Sequence, residues 1–297
     1  MQGPRNTILP AGDAHTRIYP AGPHQHPAIS GVAMMEIIIP TRGRIYDQRT
    51  LQSLPPELRK RTTLVCPKRE VSELHRLYGD VKIAWEPYPM TIAPKREWIV
   101  RTWFECGYDK IIMLDDDLSF ATRVSPDDWH LRPIQGEELI SEFERIEEKL
   151  SPDFPHVGFG MRQNNNQESG GWKSPARMLT ALGYYLPIVT KCKWDLVELR
   201  EDNCVTLQLL LMGHPNAVWT GTVVEPRFDT PGGCRTYRTI EMSNAEAEKL
   251  AALFPGYVSL RKNYKASVPR LEVTCHWQKA LQDGLANSAK KQANIHL

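Results

Sequence analysis

The chain has 297 residues, a formal net charge of +2 and 41% hydrophobic residues. That length accommodates one large α/β domain or two smaller ones, with a sizeable core. A balance this close to neutral argues against strong nonspecific attraction to polyanions, while local basic patches remain able to bind nucleic acid. No apolar run is long enough to span a bilayer. No basic start followed by an apolar stretch marks a secretory signal. The six cysteines are scattered without a C-x-x-C pair, so a zinc site is unsupported. A reducing, cytoplasmic setting is expected, although an even cysteine count leaves disulfides open.

Met1 to Ala33 is rich in Pro, Gly, His and Ala and has no helical or strand period. It reads as a disordered tail over 1–34, with the folded domain running over 35–280. Glu36 to Pro40 (E-I-I-I-P) is a β-branched strand stopped by proline. It leads into Thr41-Arg42-Gly43-Arg44, a loop suited to a ligand, or a plain turn with solvated arginines. A short helix is predicted over Arg49 to Leu54, ended by Pro55-Pro56. Strands follow at Thr62 to Cys66 and Val81 to Trp85, with a helix between them at Glu70 to Tyr78. Ala93 to Cys106 is the next helix. Lys95 and Arg96 lie near its start, where a phosphate could meet free backbone N–H groups.

The run Ile111-Ile112-Met113-Leu114-Asp115-Asp116-Asp117 comes next. A short apolar run reads as a buried central strand. Open α/β sheets bind ligands beyond the carboxyl ends of their strands, which is where the three carboxylates fall. Adjacent like charges repel unless a cation offsets them. Mg2+ or Mn2+ is the natural partner for clustered oxygens and would in turn hold a phosphate. A solvated acidic turn is the plainer alternative. The alternation of strand and helix predicts an α/β fold with a parallel sheet flanked by helices. The first strand–helix turn lacks the glycine-rich phosphate loops of dinucleotide enzymes and P-loop NTPases.

Beyond the triplet a polar loop is expected, then an amphipathic helix over Gly136 to Leu150. Val157 to Met161 reads as a strand, Gln163 to Gly171 as a mobile loop, and Leu182 to Val189 as apolar packing near the site. Asp195 to Met212 reads as helical and carries Arg200-Glu201-Asp202-Asn203. Carboxylates there suit acid–base work, or merely complement the helix dipole. Ala217 to Glu225 is a strand. Pro231 to Arg238 is a glycine hinge bearing Arg235, Tyr237 and Arg238. From Arg261 to Lys279 basic residues are interleaved with aromatics, either a phosphate-and-base surface or a solvated helix and loop. Residues 281–297 are expected to fray, most clearly from Asn287.

This order of motifs resembles the GT-A glycosyltransferases. The strings I-I-I-P-T-R-G-R, Arg96-Glu97-Trp98-Ile99, I-I-M-L-D-D-D-L-S-F and G-G-C-R-T-Y-R resemble one branch of them, the TET-associated glycosyltransferases of bacteriophages. The resemblance implies a GT-A-like, Rossmann-like, mostly parallel sheet forming one nucleotide-sugar-binding domain with a C-terminal acceptor-side elaboration. It implies a divalent metal, a nucleotide-sugar donor (a UDP-sugar foremost) and transfer to 5-hydroxymethylcytosine, or a related hydroxymethylpyrimidine, in phage DNA.

By that resemblance Asp117 would bind the metal, and Asp115 the metal or ribose. Asp116 would take the variable middle place on the donor side. Thr41, Arg42 and Arg44 would meet the nucleotide, and Arg96 the diphosphate or ribose. Asp202 would be the base with Glu201 beside it. Arg235, Tyr237 and Arg238 would face the acceptor. Among late histidines, only His214 and His276 could complete the metal site, and neither sits in a matching motif. Two alternatives stand beside this reading: a glycan or small-molecule acceptor, and a catalytically silent nucleotide-sugar or DNA-binding module.

Overall fold

The computed structural model describes residues 18–19, 34–162, 169–227, 232–263 and 269–295. The rest of the N-terminal tail, the polar loop at 163–168 and part of the basic segment, at 264–268, lie outside the described residues. The first half comprises β1 (Ile18–Tyr19), β2 (Glu36–Pro40), α1 (Arg49–Ser53), α2 (Pro56–Lys60), β3 (Thr62–Cys66), α3 (Val71–Leu77), β4 (Lys82–Trp85), α4 (Ile92–Glu105) and β5 (Lys110–Leu114). Pro55-Pro56 ends α1 as expected, and Pro56 also opens α2, a helix that the sequence reading missed. Proline suits a first helical turn, where its missing N–H has no partner to lose.

These strands pair in parallel in the order β1-β4-β3-β2-β5. Side chains alternate along a strand, so each strand feeds two cores. Ile37, Ile39, Leu64, Cys66, Ile112 and Leu114 enter the core on one face. Ile38, Val65, Ile111 and Met113 enter the core on the other. The register sets Ile38 against Met113. The loops after β2 and β5 therefore leave the same edge of the sheet side by side. Thr41–Arg44 and Asp115–Asp117 meet there for this reason.

The second half comprises β6 (Leu118–Arg123), β7 (Leu131–Pro133), α5 (Gly136–Lys149), β8 (His156–Met161), β9 (Trp172–Lys173), β10 (Ala181–Tyr185), α6 (Leu186–Val189), α7 (Glu201–Leu211), β11 (Asn216–Pro226), α8 (Ile240–Leu253), β12 (Val258–Asn263), β13 (Arg270–Cys275) and α9 (Trp277–Ile295). The sheet continues β5-β10-β8-β11-β6-β7, with β9 beside β11. It is a mixed sheet flanked by helices, parallel through its first half, with the β8–β11 pair parallel in the second. Strand β10 runs antiparallel to both of its neighbours. The fold is GT-A-like.

Four local expectations are corrected. Ile18–Tyr19, inside the stretch expected to be a disordered tail, is β1 and pairs with β4. The polar loop expected after the carboxylates begins with β6, whose Leu118 and Phe120 are buried. The helix expected from Asp195 starts only at Glu201, because Arg200 is left-handed at φ 72°, a conformation that a right-handed helix excludes. The C-terminal stretch expected to fray continues as α9 to Ile295. Small residues at four-residue spacing, Ala280, Gly284 and Ser288, let α9 lie close to α7. A Cβ at Gly284 would fall 2.0 Å from the Leu210 carbonyl oxygen, and the Ser288 hydroxyl donates to the Met212 carbonyl at 3.2 Å. A third core joins these elements through Cys204, Leu207, Leu210, Leu250, Phe254, Ala280 and Leu281. The basic segment is a hairpin of β12 and β13 in which Arg261 pairs with Glu272 at 2.7 Å. Lys279 pairs with Asp283 at 2.7 Å.

Candidate active site

At the edge where β2 and β5 end, the chain surrounds a cavity of about 600 Å3. Thr41, Arg42, Arg44, Arg96, Asp115, Asp116, Asp117, Glu201, Asp202, Tyr237 and Arg238 all line it. Arg235 lies in the turn Gly233–Thr236, but its side chain is outside the described part. His214 and His276 do not line the cavity.

The three consecutive carboxylates have different surroundings. Asp116 is buried, accepting a 2.5 Å hydrogen bond from the Thr41 hydroxyl and pairing with Arg44. Arg44 also reaches Asp117 at 3.0 Å. Gln48 donates to the Thr41 hydroxyl and to the Arg44 carbonyl, both at 2.8 Å. Thr41, Arg44 and Asp116 thus tie the loop after β2 to the acidic loop. Arg42 donates to Glu86 at 2.8 Å and to the Met90 carbonyl. Glu86 also holds Lys95 at 2.8 Å. Burial pulls the Lys95 pKa down, and Glu86 opposes it. Glu86 went unnoticed in the sequence. Its only signal is its place just after a strand on the site edge.

Arg96 is 5% exposed and spans two loops. One guanidinium nitrogen donates to Asp115 at 2.9 Å and another to Glu201 at 2.6 Å. Its side chain thus meets two carboxylates of the protein at the position where the sequence reading expected a diphosphate or ribose contact. Burial opposes its charge, but Glu201 and Asp115 outweigh burial and keep it a cation. Burial pushes the Asp115 carboxyl up to about 6, with Asp117 and Asp116 adding to the shift and Arg96 opposing it. Burial likewise pushes Glu201 up, against the pull of Arg96.

Adjacent positions on a helix point about 100° apart, so Glu201 and Asp202 diverge. Both line the cavity, Glu201 buried and Asp202 half-buried. Asp202 accepts from the Asn203 backbone N–H at 2.7 Å. Among the described residues it has no lysine or arginine in ion-pair contact. An unpaired carboxylate at a cavity wall is able to take a proton.

Residues beyond β11 form the remaining wall. Gly233 donates its N–H to the Arg42 carbonyl at 3.0 Å. Gly232 has φ 96°, and a Cβ there would sit 3.0 Å from that same carbonyl oxygen. Glycine is required on both counts. The Tyr237 hydroxyl accepts from the Ile92 N–H at 3.2 Å and donates to the Cys234 sulfur at 3.3 Å. This pins the ring at the start of α4. Thr180, a β-branched residue at φ 60°, is strained. Its carbonyl accepts the Asp115 N–H at 2.9 Å. Arg177, Arg200 and Arg270 also line the cavity, and the sequence reading assigned none of them to it.

Among the described residues no cluster of three or more His, Cys, Asp or Glu side chains is arranged to hold a metal alone. Asp115 and Asp117 nevertheless offer hard oxygens, and Mg2+ characteristically binds through one or two carboxylates plus substrate phosphates. The cations Arg42, Arg44, Lys95 and Arg96 face the five carboxylates Glu86, Asp115, Asp116, Asp117 and Glu201. Arg227 also lines this half, beside Asp117, so the side chains there are close to charge balance, and the fit to a divalent cation rests on the hard carboxylate oxygens of Asp115 and Asp117.

A family model described as TET-Associated Glycosyltransferase matches residues 35–226. Among curated proteins, none matches the chain. The structure of S. aureus TarS 1–349 in complex with UDP is 12% identical, with a TM-score of 0.42, over 74% of this chain and 65% of that one. The chain thus spans slightly less than two thirds of that structure. A second structure of S. aureus TarS 1–349 gives 12% identity and a TM-score of 0.39, over 85% of this chain and 71% of that one. CMP:2-keto-3-deoxy-manno-octonic acid synthetase complexed with CTP gives 12% identity and a TM-score of 0.39, over 67% of this chain and 92% of that one.

Proposed function

The chain belongs to the TET-associated glycosyltransferases, and from that premise we propose that it moves a sugar from a nucleoside diphosphate to the hydroxyl of a 5-hydroxymethylpyrimidine in DNA. 5-Hydroxymethylcytosine is the foremost acceptor and a UDP-sugar the foremost donor. The observation that carries the proposal is the open carboxylate of Asp202, in one cavity with Asp115 and Asp117. Asp115 and Asp117 would hold a divalent Mg2+ or Mn2+ ion together with the diphosphate. When bound, that ion offsets the charge that develops on the leaving diphosphate.

Thr41 and Arg42, their side chains held by Asp116 and Glu86, form the floor for the nucleoside. Asp202 takes the proton of the acceptor hydroxyl as that oxygen attacks the anomeric carbon. The new C–O bond forms as the bond from anomeric carbon to phosphate oxygen breaks, and the electron pair leaves with the diphosphate. Attack from the face opposite the diphosphate inverts the anomeric centre. Arg96 is a positioning residue: by holding Glu201 and Asp115 together it sets the spacing between the base and the donor side. No helix among the described residues is long and apolar enough to cross a membrane, and we place the reaction in the cytoplasm of an infected host cell.

The test is mass spectrometry of nucleosides from hydroxymethylated DNA after incubation with mixed nucleotide sugars and Mn2+ or Mg2+. A hydroxymethylpyrimidine heavier by one glycosyl residue is expected. Hydroxymethylated DNA left unmodified with every donor, while a glycan or small molecule is modified, would overturn the reading.

A further inference from the structure

The two halves of the cavity differ in how their positive charge is compensated. On the donor half every cation has a carboxylate: Arg42 and Lys95 share Glu86, Arg44 holds Asp116 and Asp117, Arg96 holds Asp115 and Glu201, and Arg227 reaches Asp47 at 3.9 Å. On the other half stand Arg177, Arg200, Arg238 and Arg270. Among the described residues none of these four has an ion-pair partner. The carboxylate grouped with them is Asp202, the proposed base.

The four come from separate segments: the approach to β10, the entry to α7, the turn after Gly233–Thr236 and the start of β13. They are therefore not the charged face of one helix, which would be the ordinary origin of such a group. Arg177, Arg238 and Arg270 are exposed and Arg200 is half-buried. Arg200 is held there by its left-handed backbone. Among the described residues its guanidinium meets only neutral acceptors, the Ser243 hydroxyl and the Leu271 carbonyl, each at 3.4 Å. Its Nε is buried with no partner. Burial, and repulsion from Arg238, Arg270 and Arg177, pull its pKa below the ordinary arginine value. Like charges gathered in a cavity repel one another, and an anion bound among them relieves that repulsion.

We propose that Arg177, Arg200, Arg238 and Arg270 form a phosphate-binding subsite that holds the acceptor strand by the phosphates flanking the acceptor nucleotide. The inference rests on the reading of the acceptor as a polynucleotide. Guanidinium groups suit phosphate through their fixed fork of donors. A base inside a duplex cannot reach a sheet-edge cavity, so the strand enters single or with its nucleotide flipped out. Two arginines on the backbone beside a flipped nucleotide would keep its hydroxymethyl group at Asp202. Arg238 and Arg270 lie beyond residue 226, where the family match ends. The acceptor grip is thus partly a property of this chain's C-terminal elements.

The experiment measures binding of a short fluorescent single-stranded oligonucleotide without hydroxymethyl groups across a salt series. The parent is compared with Arg177→Gln, Arg270→Gln and the double variant, whose exposed side chains put the fold at little risk. A methylphosphonate oligonucleotide and UDP are run beside it. Binding of the phosphodiester strand should weaken linearly in log salt, and each substitution should flatten the slope by about 0.7. The uncharged strand should show no such slope.

Unchanged slope and affinity in the double variant would overturn the subsite. So would a loss confined to UDP, which would assign the arginines to the donor diphosphate. If hydroxymethylated DNA stays unmodified while the slope depends on the arginines, the proposed reaction fails and the subsite stands. If the double variant modifies limiting hydroxymethylated DNA as fast as the parent, the subsite fails and the reaction stands.

Discussion

Replacing Arg96 by methionine separates a bridge within the protein from a ligand contact. The guanidinium lies 2.6 Å from Glu201 and 2.9 Å from Asp115, and both Arg96 and Glu201 are 5% exposed. At an effective dielectric of about 20, one pair at such a separation is worth roughly 4 kcal/mol before desolvation. Breaking a buried pair by removing one partner typically costs about 3–5 kcal/mol, because the other charge stays buried. A loss in that range is expected for Arg96→Met near pH 8.

The loss should shrink in acid. Without Arg96, burial acts unopposed on Glu201 and Asp115, so their folded pKa values rise further above the ordinary values of 4.5 and 3.8. A group whose folded pKa is raised contributes stability that is fully present below its unfolded pKa. That stability is lost as pH rises through the folded value. The variant should therefore sit closest to the parent near pH 4.5–5 and fall behind as pH climbs through neutrality. Urea unfolding at pH 5 and pH 8 reads this difference. The double variant Arg96→Met/Glu201→Gln should recover part of the loss at pH 8. Equal stability of Arg96→Met and the parent at pH 8, with a raised KM for nucleotide sugar, would refute the bridge and make Arg96 a donor contact.

Other variants probe the remaining parts. Asp117→Ala should abolish transfer together with its dependence on divalent ions while the fold survives, since Arg44 keeps Asp116; full turnover in excess chelator would sink the metal-dependent mechanism. Asp202→Asn should bind donor normally in calorimetry and lose transfer by about 10²–10⁴-fold; transfer at the parent rate would remove it as the base. Gly284→Ala places a Cβ 2.0 Å from the Leu210 carbonyl oxygen and should cost about 1–3 kcal/mol in thermal unfolding; an unchanged Tm would mean that α9 does not pack on α7.

The donor half of the fold was legible because its signals are local. Strands β2 to β5 are mainly apolar runs with a proline, glycine or charge at the end, and covered parallel strands have that pattern; β1, only two residues long and set in a Pro- and Gly-rich stretch, was missed. The first strand beyond the triplet, β6, was missed because the carboxylates before Leu118 drew the reading toward a loop. The start of α7 was misplaced because nothing in the string W-D-L-V-E-L-R marks Arg200 as left-handed. The tail of α9 was misread because Ala280, Gly284 and Ser288 look weak as a core pattern. Their smallness is what allows the helix to approach.

Side-chain roles were less legible than positions, and the reason is pairing at a distance. A sequence shows that Arg44 and Arg96 reach the site edge, but not whether each guanidinium meets a ligand or a carboxylate. Arg96 and Glu201 are 105 positions apart, and only the crossing of α4 with the entry to α7 makes them partners. That pairing also gives two adjacent carboxylates, Glu201 and Asp202, different surroundings. Arg96 draws Glu201 inward, and the helical turn then leaves Asp202 facing the cavity. The residue that distinguishes the proposed base from its neighbour is thus one that need not touch the substrate. By the same logic a charge left without a partner is informative only in three dimensions. Arg177 and Arg200 are unremarkable where they stand in the chain, and Arg270 stood only as one of several basic residues in the segment from Arg261 to Lys279. They point to an anion because, unlike the cations across the cavity, they meet no carboxylate in ion-pair contact among the described residues.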